Sequence, residues 1–383
     1  MSMKAVVFRG PFEIAVEDRP RPKIIDPTDA IVRVRYAGIC GSELHMYRGH
    51  QKTGTGHIMG HEFVGVIEEV GSEVSLFSVG EEVVSIFSAV CMKCWFCRRG
   101  LTNRCVKGTA FGTQLLDGGQ AEYARVPFAD GTLQPVPFDL DHRLLIMMCD
   151  IFPTGYYAAS QAIQSLKTQF ESRLTSSTSP PTGIQMTNSF ASSSHSIPGP
   201  DLAVKESVVV CLGCGPVGIC AIATARSKGV GTIFAIDGVV DRLKKAENFG
   251  AIPLILGQDD VKARVLAATE NRGADAVIEL VGNTSALQSA FELLRPCGVL
   301  SSIGFHQGNL PFTGLDCYLK NINAHFGRVP VRTVFHDALQ CLRENKEQMK
   351  DYITHELPLS EAAVGYHLFE QRKARKVILQ VSE

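Results

Sequence analysis

The sequence predicts an α/β protein with two domains, one rich in β-strands and one built on a parallel sheet covered by helices. At 383 residues the chain is too long for one ordinary core. Residues 1–150 contain short strand-like runs between glycines and prolines, whereas strands alternate with helices from Ser207 onward. Alternation of strands with helices of about 10–15 residues is typical of βαβ units and a parallel sheet.

The individual strands and helices are predicted from apolar runs and alternating patterns. The N-terminal strand candidates are AVVF (5–8), AIVRVRYAG (30–38), EFVGVIEEVG (62–71), EEVVSIF (81–87) and QAEYARVP (120–127). From Ser207 onward, strand and helix candidates alternate as SVVVCLG (207–213), PVGICAIATARSKG (216–229), TIFAID (232–237), DRLKKAENFGA (241–251), ADAVIELVG (274–282), ALQSAFELLRPCG (286–298) and VLSSIGF (299–305). The C-terminal residues 351–383 add strand, helix and strand, and we expect them to rejoin the first domain.

Residues 168–200 differ in composition from the rest, since more than half of them are Ser, Thr or Pro. Such a segment buries too little apolar surface to offset the entropy of ordering it. We expect a flexible loop or a partly disordered insertion, with His195 exposed and inert.

Charge and hydropathy exclude several classes of protein. The net charge of -1 and a pI near 6.8 give no reason to expect a nucleic-acid or anionic-membrane partner. No apolar run of about 18 residues is present, and the N-terminus shows no signal-peptide pattern. We expect a cytoplasmic protein, in which twelve cysteines indicate metal binding and core packing instead of disulfides.

Four cysteines in CMKCWFCRRGLTNRC have the spacing C-x2-C-x2-C-x7-C, and they are Cys91, Cys94, Cys97 and Cys105. Four thiolates on one short loop suit a closed tetrahedral zinc site with a structural role. The alternative is four unrelated buried cysteines, but the neighbouring basic residues argue against burial and would offset the thiolate charge.

A glycine-rich turn follows the strand that begins at Val208 and precedes a helix. Its G-x-G-x-x-G pattern predicts dinucleotide binding through Gly213, Gly215, Pro216, Val217 and Gly218. Asp237 ends the next strand, where its carboxylate would accept hydrogen bonds from a ribose diol and repel a 2′-phosphate. NAD is therefore favoured over NADP. The alternative is an ordinary βαβ turn beside a helix-capping aspartate.

Three separated stretches contribute metal-ligand types. GICGSELHMYRG contains Cys40, GHEFVGVIEEVG contains His61, and LLIMMCDIFPTG contains the isolated acid Asp150. One Cys, one His and one carboxylate, with a fourth position left open, suit a catalytic zinc site. A carboxylate in such an apolar run requires a partner, and a zinc ion would provide it.

These motifs, in this order, resemble the zinc-containing medium-chain alcohol dehydrogenases over essentially the whole chain apart from the insertion. The aspartate at 150 is similar to that of the formaldehyde-dehydrogenase-like and secondary-alcohol branch. The resemblance implies a GroES-like β-rich catalytic domain and a Rossmann doubly wound parallel sheet, with the active site in the cleft between them. It also implies two zinc ions per chain, NAD, a small alcohol or carbonyl substrate, and a dimer or tetramer.

The resemblance also implies roles for single residues. Cys40, His61 and Asp150 would bind the catalytic zinc, with Glu62 as a near neighbour and transient ligand. Ser42 would hydrogen-bond the alcohol, and His45 would pass its proton to solvent.

Four further positions follow from the same resemblance. Thr154 matches a nicotinamide contact, Phe87 lines the substrate pocket, and Arg242 lies on the adenosine side of the cofactor. Glu43 replaces the aspartate that the family usually places behind the metal-binding histidine, which would change how His61 is oriented. Phe87 and Phe111 suggest an apolar pocket.

The domain boundaries implied are 1–160 for the catalytic domain with its lobe at 91–105, 161–205 for the insertion or linker, 206–335 for the NAD-binding domain, and 336–383 for the return to the catalytic domain. The expected activity is reversible hydride transfer between an alcohol and an aldehyde or ketone. Two alternatives stay open: a polyol or secondary-metabolite dehydrogenase of the same family, and a zinc-stabilised NAD-binding protein without redox activity.

Overall fold

The computed structural model describes residues 1–176 and 199–382, and the side chains of all of these except residues 172–176. The chain forms two compact units. The first unit comprises Met1–Thr154 and Arg328–Glu383, and the second comprises Gly155–Gly327. The sequence placed the corresponding boundaries near residues 160 and 335. A helical sequence pattern continues past residues 160 and 335, so the pattern alone does not show where one unit ends and the other begins.

The N-terminal part of the chain contains mostly short strands. They are β1 Ser2–Gly10, β2 Glu13–Pro20, β3 Ala30–Ile39, β4 Phe63–Val70, β5 Glu82–Ser85, β6 Ser88–Ala89, β7 Thr109–Ala110, β8 Tyr123–Val126 and β9 Leu133–Pro135. The helices of this part are α1 Glu43–Tyr47, α2 Ala129–Thr132, α3 His142–Leu145 and α4 Ile151–Ser176.

Strands and helices alternate in the rest of the chain. The elements up to residue 326 are α5 Pro200–Glu206, β10 Val208–Leu212, α6 Pro216–Ser227, β11 Thr232–Asp237, α7 Val240–Glu247, β12 Ile252–Ile255, α8 Val261–Ala268, β13 Ala274–Glu279, α9 Thr284–Leu293, β14 Leu294–Ser302, α10 Gly314–Lys320 and β15 Asn323–Phe326. They are followed by α11 Val331–Glu344, α12 Lys346–Lys350, β16 His355–Pro358, α13 Ala362–Glu370 and β17 Val377–Gln380.

The first unit contains a sheet with the order β16-β17-β3-β4-β5-β9, and β8 also pairs with β3. Every pairing is antiparallel except that of β16 with β17. Because β17 pairs with β3, the C-terminal strands are part of the N-terminal sheet. Alternating apolar side chains of β3, β4 and β8 pack with Phe111 and Leu116 into one core.

The second unit contains a parallel sheet with the order β12-β11-β10-β13-β14-β15. Every residue of β10 and β13 is buried, as expected for strands covered by helices on both faces. This arrangement confirms the predicted α/β fold class with its doubly wound sheet. β12 and α8 were not predicted from the sequence, because their apolar runs are short and their periodicity is weak.

The order of the parallel strands also positions a binding crevice. The chain leaves β10 toward β11 on one side, and β13 lies on the other side of β10. The loops after β10 and β13 therefore diverge at the carboxyl edge of the sheet. In open α/β sheets this reversal is where ligands bind.

The region near residue 168 differs from its prediction. Helix α4 continues to Ser176, whereas the composition predicted an irregular segment from Thr168. Ser and Thr lower helix propensity only slightly, and the residues from 168 to 176 include no Gly or Pro to end the helix. The rest of the predicted insertion up to residue 198, including His195, lies outside the described residues. None of the described helices is long and apolar enough to cross a bilayer.

Replacement of Leu300 tests the core of the second unit. Leu300 is completely buried in β14, so Leu300→Ala should lower the free energy of unfolding by about 2–5 kcal/mol. Leu256→Ala is the matched control because Leu256 is 60% exposed, and we expect a change within about 0.5 kcal/mol. Urea unfolding should be followed by circular dichroism, since the single tryptophan, Trp95, lies in the first unit. Equal losses in both variants would contradict this assignment.

Candidate active site and metal centres

Four potential metal ligands meet at one point of the first unit. Cys40 follows β3, His61 and Glu62 precede β4, and Asp150 precedes α4. One ligand atom from each lies within 4.8 Å of the others. The Asp150 Oδ2 atom is 3.4 Å from His61 Nε2 and 3.6 Å from Cys40 Sγ. The fold therefore brings together residues that lie more than a hundred positions apart in sequence.

The donor set of this cluster fits a zinc ion. It offers one thiol, one imidazole and two carboxyl groups, and all but Asp150 are buried. Burial raises the pKa of the Cys40 thiol, and the nearby Glu62 raises it further. Glu62 Oε1 is buried and has no hydrogen-bond partner among the described residues. A cation would compensate this buried negative charge and supply a partner for that oxygen.

Lys376 is a residue of this site that the sequence analysis missed. Its ammonium group and the carboxylate of Glu62 form an ion pair in which both side chains are almost fully buried. Lys376 Nζ also donates to the backbone oxygen of Ile39 at 3.1 Å. A lysine within ARKVILQ gives no sequence signal for this contact, because it depends on the pairing of β17 with β3. Lys376 offsets one negative charge and restrains Glu62.

Glu43 connects the cluster to a second, polar layer. Its Oε1 atom lies 3.1 Å from His61 Nδ1. Its Oε2 atom accepts hydrogen bonds from the backbone N–H of Cys40, from Gln120 and from the hydroxyl of Tyr366 at 2.9–3.2 Å. The longer glutamate thus contacts the histidine ring on the side away from Asp150, so that Nε2 faces the cluster.

The opposite positions of Cys149 and Asp150 explain which of them can serve as a ligand. Cys149 is completely buried, and its Sγ lies 3.6 Å from the backbone oxygen of Phe63, away from the cluster. The carboxylate of Asp150 faces the cluster and also accepts a hydrogen bond from Thr154 Oγ1 at 2.9 Å. Thr154, at the start of α4, therefore orients Asp150, a role that the sequence analysis did not foresee.

Ser42 and His45 lie on or next to the short helix α1. Ser42 is an exposed residue, and its Oγ lies 3.4 Å from Cys40 Sγ, which places the hydroxyl at the edge of the cluster. His45 is half-buried. Burial, with Arg48 and His50 nearby, lowers the pKa of His45 below its usual value. The imidazole is therefore neutral at neutral pH and able to accept a proton.

The two phenylalanines proposed as pocket residues have different environments. The ring of Phe87 lies edge-on to His61, with 6.5 Å between ring centroids, so it borders the metal-ligand cluster. Phe111 is buried in the core of the first unit, where it packs edge-on against Phe63. The expectation that Phe111 lines a pocket is wrong, because its ring fills the interior of the sheet domain.

The four cysteines of the lobe form a second cluster. The Sγ atoms of Cys91, Cys94, Cys97 and Cys105 lie within 4.8 Å of one another, and all four cysteines are free thiols. Backbone N–H groups of Cys97 and Val106 lower the pKa of the Cys94 thiol to about 6. Four thiols with no other ligand type fit a structural zinc ion.

The lobe is also attached to the C-terminal part of the first unit. Asn103 Nδ2 donates to the backbone oxygen of Arg328 at 2.6 Å, and Thr333 Oγ1 donates to the backbone oxygen of Gly100 at 2.7 Å. Strands β6 and β7 pair at its base. The lobe itself is a loop with two short 3-10 helices, so a metal ion would supply much of its order.

The glycine-rich turn of the second unit has the shape required for a phosphate site. Gly213 has a φ of 91°, and a Cβ on Gly218 would lie 1.9 Å from the backbone oxygen of Gly213. A Cβ on Gly215 would make only an ordinary van der Waals contact, with Arg242 Nη1 at 3.9 Å. Helix α6 begins with Pro216 and Val217, and no side chain caps its N-terminus. Its first N–H groups are therefore available for an anion.

Asp237 supports this turn from the end of β11. Its carboxylate accepts hydrogen bonds from the backbone N–H groups of Cys214 and Val239, each at 2.9 Å. Arg242 Nη1 lies 3.4 Å from the same carboxylate. The acid is therefore fixed next to the turn, in the position that suits recognition of a ribose diol.

Comparisons with known proteins agree with this geometry. A family model described as an alcohol dehydrogenase GroES-like domain matches residues 26–137, and one described as a zinc-binding dehydrogenase matches residues 216–344. A zinc-type alcohol dehydrogenase B of Aspergillus flavus is 41% identical over all of this chain and 82% of its own length. A medium chain reductase/dehydrogenase of Acremonium sp. is 43% identical over 82% of this chain and 98% of its own. The structure of alcohol dehydrogenase TADH from Thermus sp. ATN1 superposes with a TM-score of 0.84 at 34% identity, covering 99% of this chain and 100% of that one.

Metal analysis tests the four-cysteine lobe. Cys97→Ser should reduce the zinc content from about two ions per chain to about one, because serine replaces a buried thiolate ligand. Cys297→Ser is the control, since Cys297 is partly exposed and belongs to neither cluster. Plasma emission spectrometry of the purified variants provides the measurement. Unchanged zinc in Cys97→Ser would argue against a metal in the lobe.

Proposed function

This chain belongs to the zinc-containing medium-chain alcohol dehydrogenase family, and we propose that it oxidises an alcohol to an aldehyde or ketone, and the reverse, with NAD. The observation that carries this proposal is the cluster of Cys40, His61 and Asp150, with the hydroxyl of Ser42 at its edge. A purely structural metal site would need no such hydroxyl. Members of the family are oxidoreductases, and NAD is their typical cofactor.

Three residues of the cluster would hold the catalytic zinc. We assign Cys40, His61 and Asp150 as its ligands, with Glu62 restrained by Lys376 as a neighbour that can approach it. When bound, zinc polarises the oxygen of an alcohol or carbonyl group and eases loss of the hydroxyl proton. An aspartate donates less electron density than a second thiolate, which favours a more electrophilic metal.

The chain itself would move the proton. We assign Ser42 Oγ as the first acceptor of a hydrogen bond from the substrate hydroxyl, because it lies next to Cys40 Sγ. His45, whose pKa is lowered by burial and by the nearby Arg48 and His50, is neutral and can take that proton toward solvent. Glu43 contacts His61 and Thr154 contacts Asp150, and they would keep these two ligands in the required orientation.

The second unit would bind NAD. The residues from Gly213 to Gly218 would hold the pyrophosphate at the N-terminus of α6, and Asp237 would accept hydrogen bonds from the adenosine ribose. Arg242, next to Asp237, would lie on the adenosine side. We also assign Thr154 to a contact with the nicotinamide and Phe87 to the substrate pocket; the edge-on contact of Phe87 with His61 supports the latter assignment.

A homo-oligomer is supported by one surface of the second unit. Strand β15 is the edge strand of the parallel sheet and is mostly exposed. Helix α10 precedes it and has no buried residue, although it carries Leu315, Tyr318 and Leu319. An exposed apolar helix beside an open strand edge is suited to cover the same surface of a second copy. A cytoplasmic location is supported by the free state of all twelve cysteines.

Replacement of Asp150 provides the test of the reaction. NADH absorbance should rise when the enzyme is given NAD and a panel of primary, secondary and polyhydric alcohols. Asp150→Ala should lower kcat/KM by at least about a hundredfold and remove about one zinc ion per chain. Cys149→Ala is the matched control because its thiol lies outside the cluster, and it should keep both zinc and activity.

Other outcomes of this experiment would distinguish the alternatives. NAD binding without turnover of any alcohol or carbonyl compound would indicate a zinc-stabilised binding protein. Turnover confined to polyhydric alcohols would assign the polyol branch. Loss of zinc in Cys149→Ala with retention in Asp150→Ala would transfer the ligand role to the thiol.

The pH dependence of alcohol oxidation tests His45. The neutral imidazole is the proton acceptor, so activity should fall as pH drops through the pKa of His45, which lies below its usual value of about 6.5. His45→Gln should lower kcat roughly tenfold or more and remove this acidic limb from the profile of kcat against pH. An acidic limb that is unchanged in the variant would assign it to another group.

A further inference from the structure

Glu279 is a buried acid at the carboxyl end of β13. Its side chain has no exposed surface. The Oε1 atom accepts hydrogen bonds from the backbone N–H groups of Val281 and Gly282, both at 2.8 Å. The Oε2 atom accepts a hydrogen bond from the hydroxyl of Ser302, at the end of β14, at 2.8 Å. This carboxylate therefore joins the loops that follow two adjacent parallel strands.

His306 completes this group. Its Nε2 atom is 2.7 Å from Glu279 Oε2 and 3.0 Å from Ser302 Oγ. Ser302, His306 and Glu279 do not form a nucleophilic triad, because a triad uses both ring nitrogens and here the acid and the hydroxyl contact the same one. The contacts hold the ring in place and leave its other nitrogen for a different partner.

The hydrogen bonds of Glu279 indicate which nitrogen of His306 carries a proton. A carboxylate that already accepts three hydrogen bonds is an acceptor, so Nε2 of His306 must be the donor toward it. In the neutral imidazole Nδ1 then has a free lone pair and accepts a hydrogen bond. Both hydrogen bonds of His306 to described residues use Nε2, and its side chain is 16% exposed. The ring is thus held by two contacts, and part of the side chain stays exposed.

The position of His306 relates it to the dinucleotide crevice. The loop after β13 touches the glycine-rich turn, since a Cβ on Gly213 would lie 2.7 Å from a methyl carbon of Val281. The loop after β14 packs on the loop after β13, since a Cβ on Gly282 would lie 2.6 Å from the backbone nitrogen of Phe305. Asp237, on the β11 side of the turn, marks the adenosine half. A dinucleotide laid across the carboxyl edge would therefore place its other nucleoside over β13 and β14.

We propose that His306, held by Glu279 and Ser302, binds the nicotinamide nucleoside of NAD through Nδ1. The ligand group is a hydrogen-bond donor, either the carboxamide N–H of nicotinamide or a hydroxyl of its ribose. His306 is then a cofactor-positioning residue that orients this nucleoside. This inference rests on NAD binding as described above and adds a contact on the nucleoside opposite Asp237.

Calorimetric binding of three ligands to the zinc-loaded protein tests the proposal. AMP carries only the adenosine half, ADP-ribose adds the second ribose, and NAD adds the nicotinamide. His306→Ala should weaken NAD binding roughly three- to tenfold, as expected for one lost hydrogen bond, and leave AMP binding unchanged. Weaker binding of ADP-ribose as well identifies a ribose hydroxyl as the donor, whereas unchanged ADP-ribose binding identifies the carboxamide.

Two further variants separate ligand contact from loop support. His306→Gln can place an amide N–H near the position of Nε2 and keep the contact with Glu279, but it has no atom equivalent to Nδ1. The proposal therefore expects His306→Gln to bind NAD as weakly as His306→Ala. Gln307→Ala is the neighbouring control, exposed in the same loop, and should bind NAD like the unmodified protein.

Wild-type affinity for NAD in His306→Gln would overturn the proposal and assign His306 to loop support alone. Unchanged NAD affinity in His306→Ala would overturn it as well. A protein that binds none of the three ligands before any substitution contradicts the proposed function itself, so the two failures are distinguishable.

Discussion

The compensation of buried negative charge is the constraint on which the first unit depends. Glu43 and Glu62 are almost completely buried beside Cys40, and Asp150 is only partly exposed. Isolated charges in such an environment would cost several kcal/mol each. The fold compensates them in three ways: Lys376 pairs with Glu62, hydrogen-bond donors contact Glu43, and the four potential ligands lie close enough together to hold a cation.

The sheet of the first unit brings together the residues that compensate these charges, although they lie far apart in the sequence. Cys40 and Lys376 lie at the ends of paired strands β3 and β17, and Tyr366 reaches Glu43 from α13. The C-terminal 30 or so residues therefore complete the environment of ligands that come from the first 150 residues. The first unit is discontinuous because β17, which directly follows Lys376, pairs with β3, while the residues of the second unit lie between them in the chain.

The second unit also compensates buried negative charge, but it does so with backbone N–H groups. Asp237 and Glu279 are buried acids at the ends of β11 and β13, and each binds backbone N–H groups of a neighbouring loop. Their negative charge is spread over fixed dipoles instead of a metal ion. The loops at the carboxyl edge of the sheet are thereby held in a defined shape, which is what recognition of a dinucleotide by backbone groups requires.

The sequence by itself determined the features that are local in the chain. The four-cysteine spacing, the turn from Gly213 to Gly218 and the alternation of strands and helices each lie within a short window, so residue order alone indicates zinc, a dinucleotide and an α/β fold. Only the tertiary structure decided the rest. It showed that Lys376 pairs with Glu62, that Phe111 fills the core, that α4 continues to Ser176, and that His306 meets Glu279. Except for the helix end, each of these depends on which strands become neighbours, and strand pairing is a long-range outcome of packing that no short window of sequence contains.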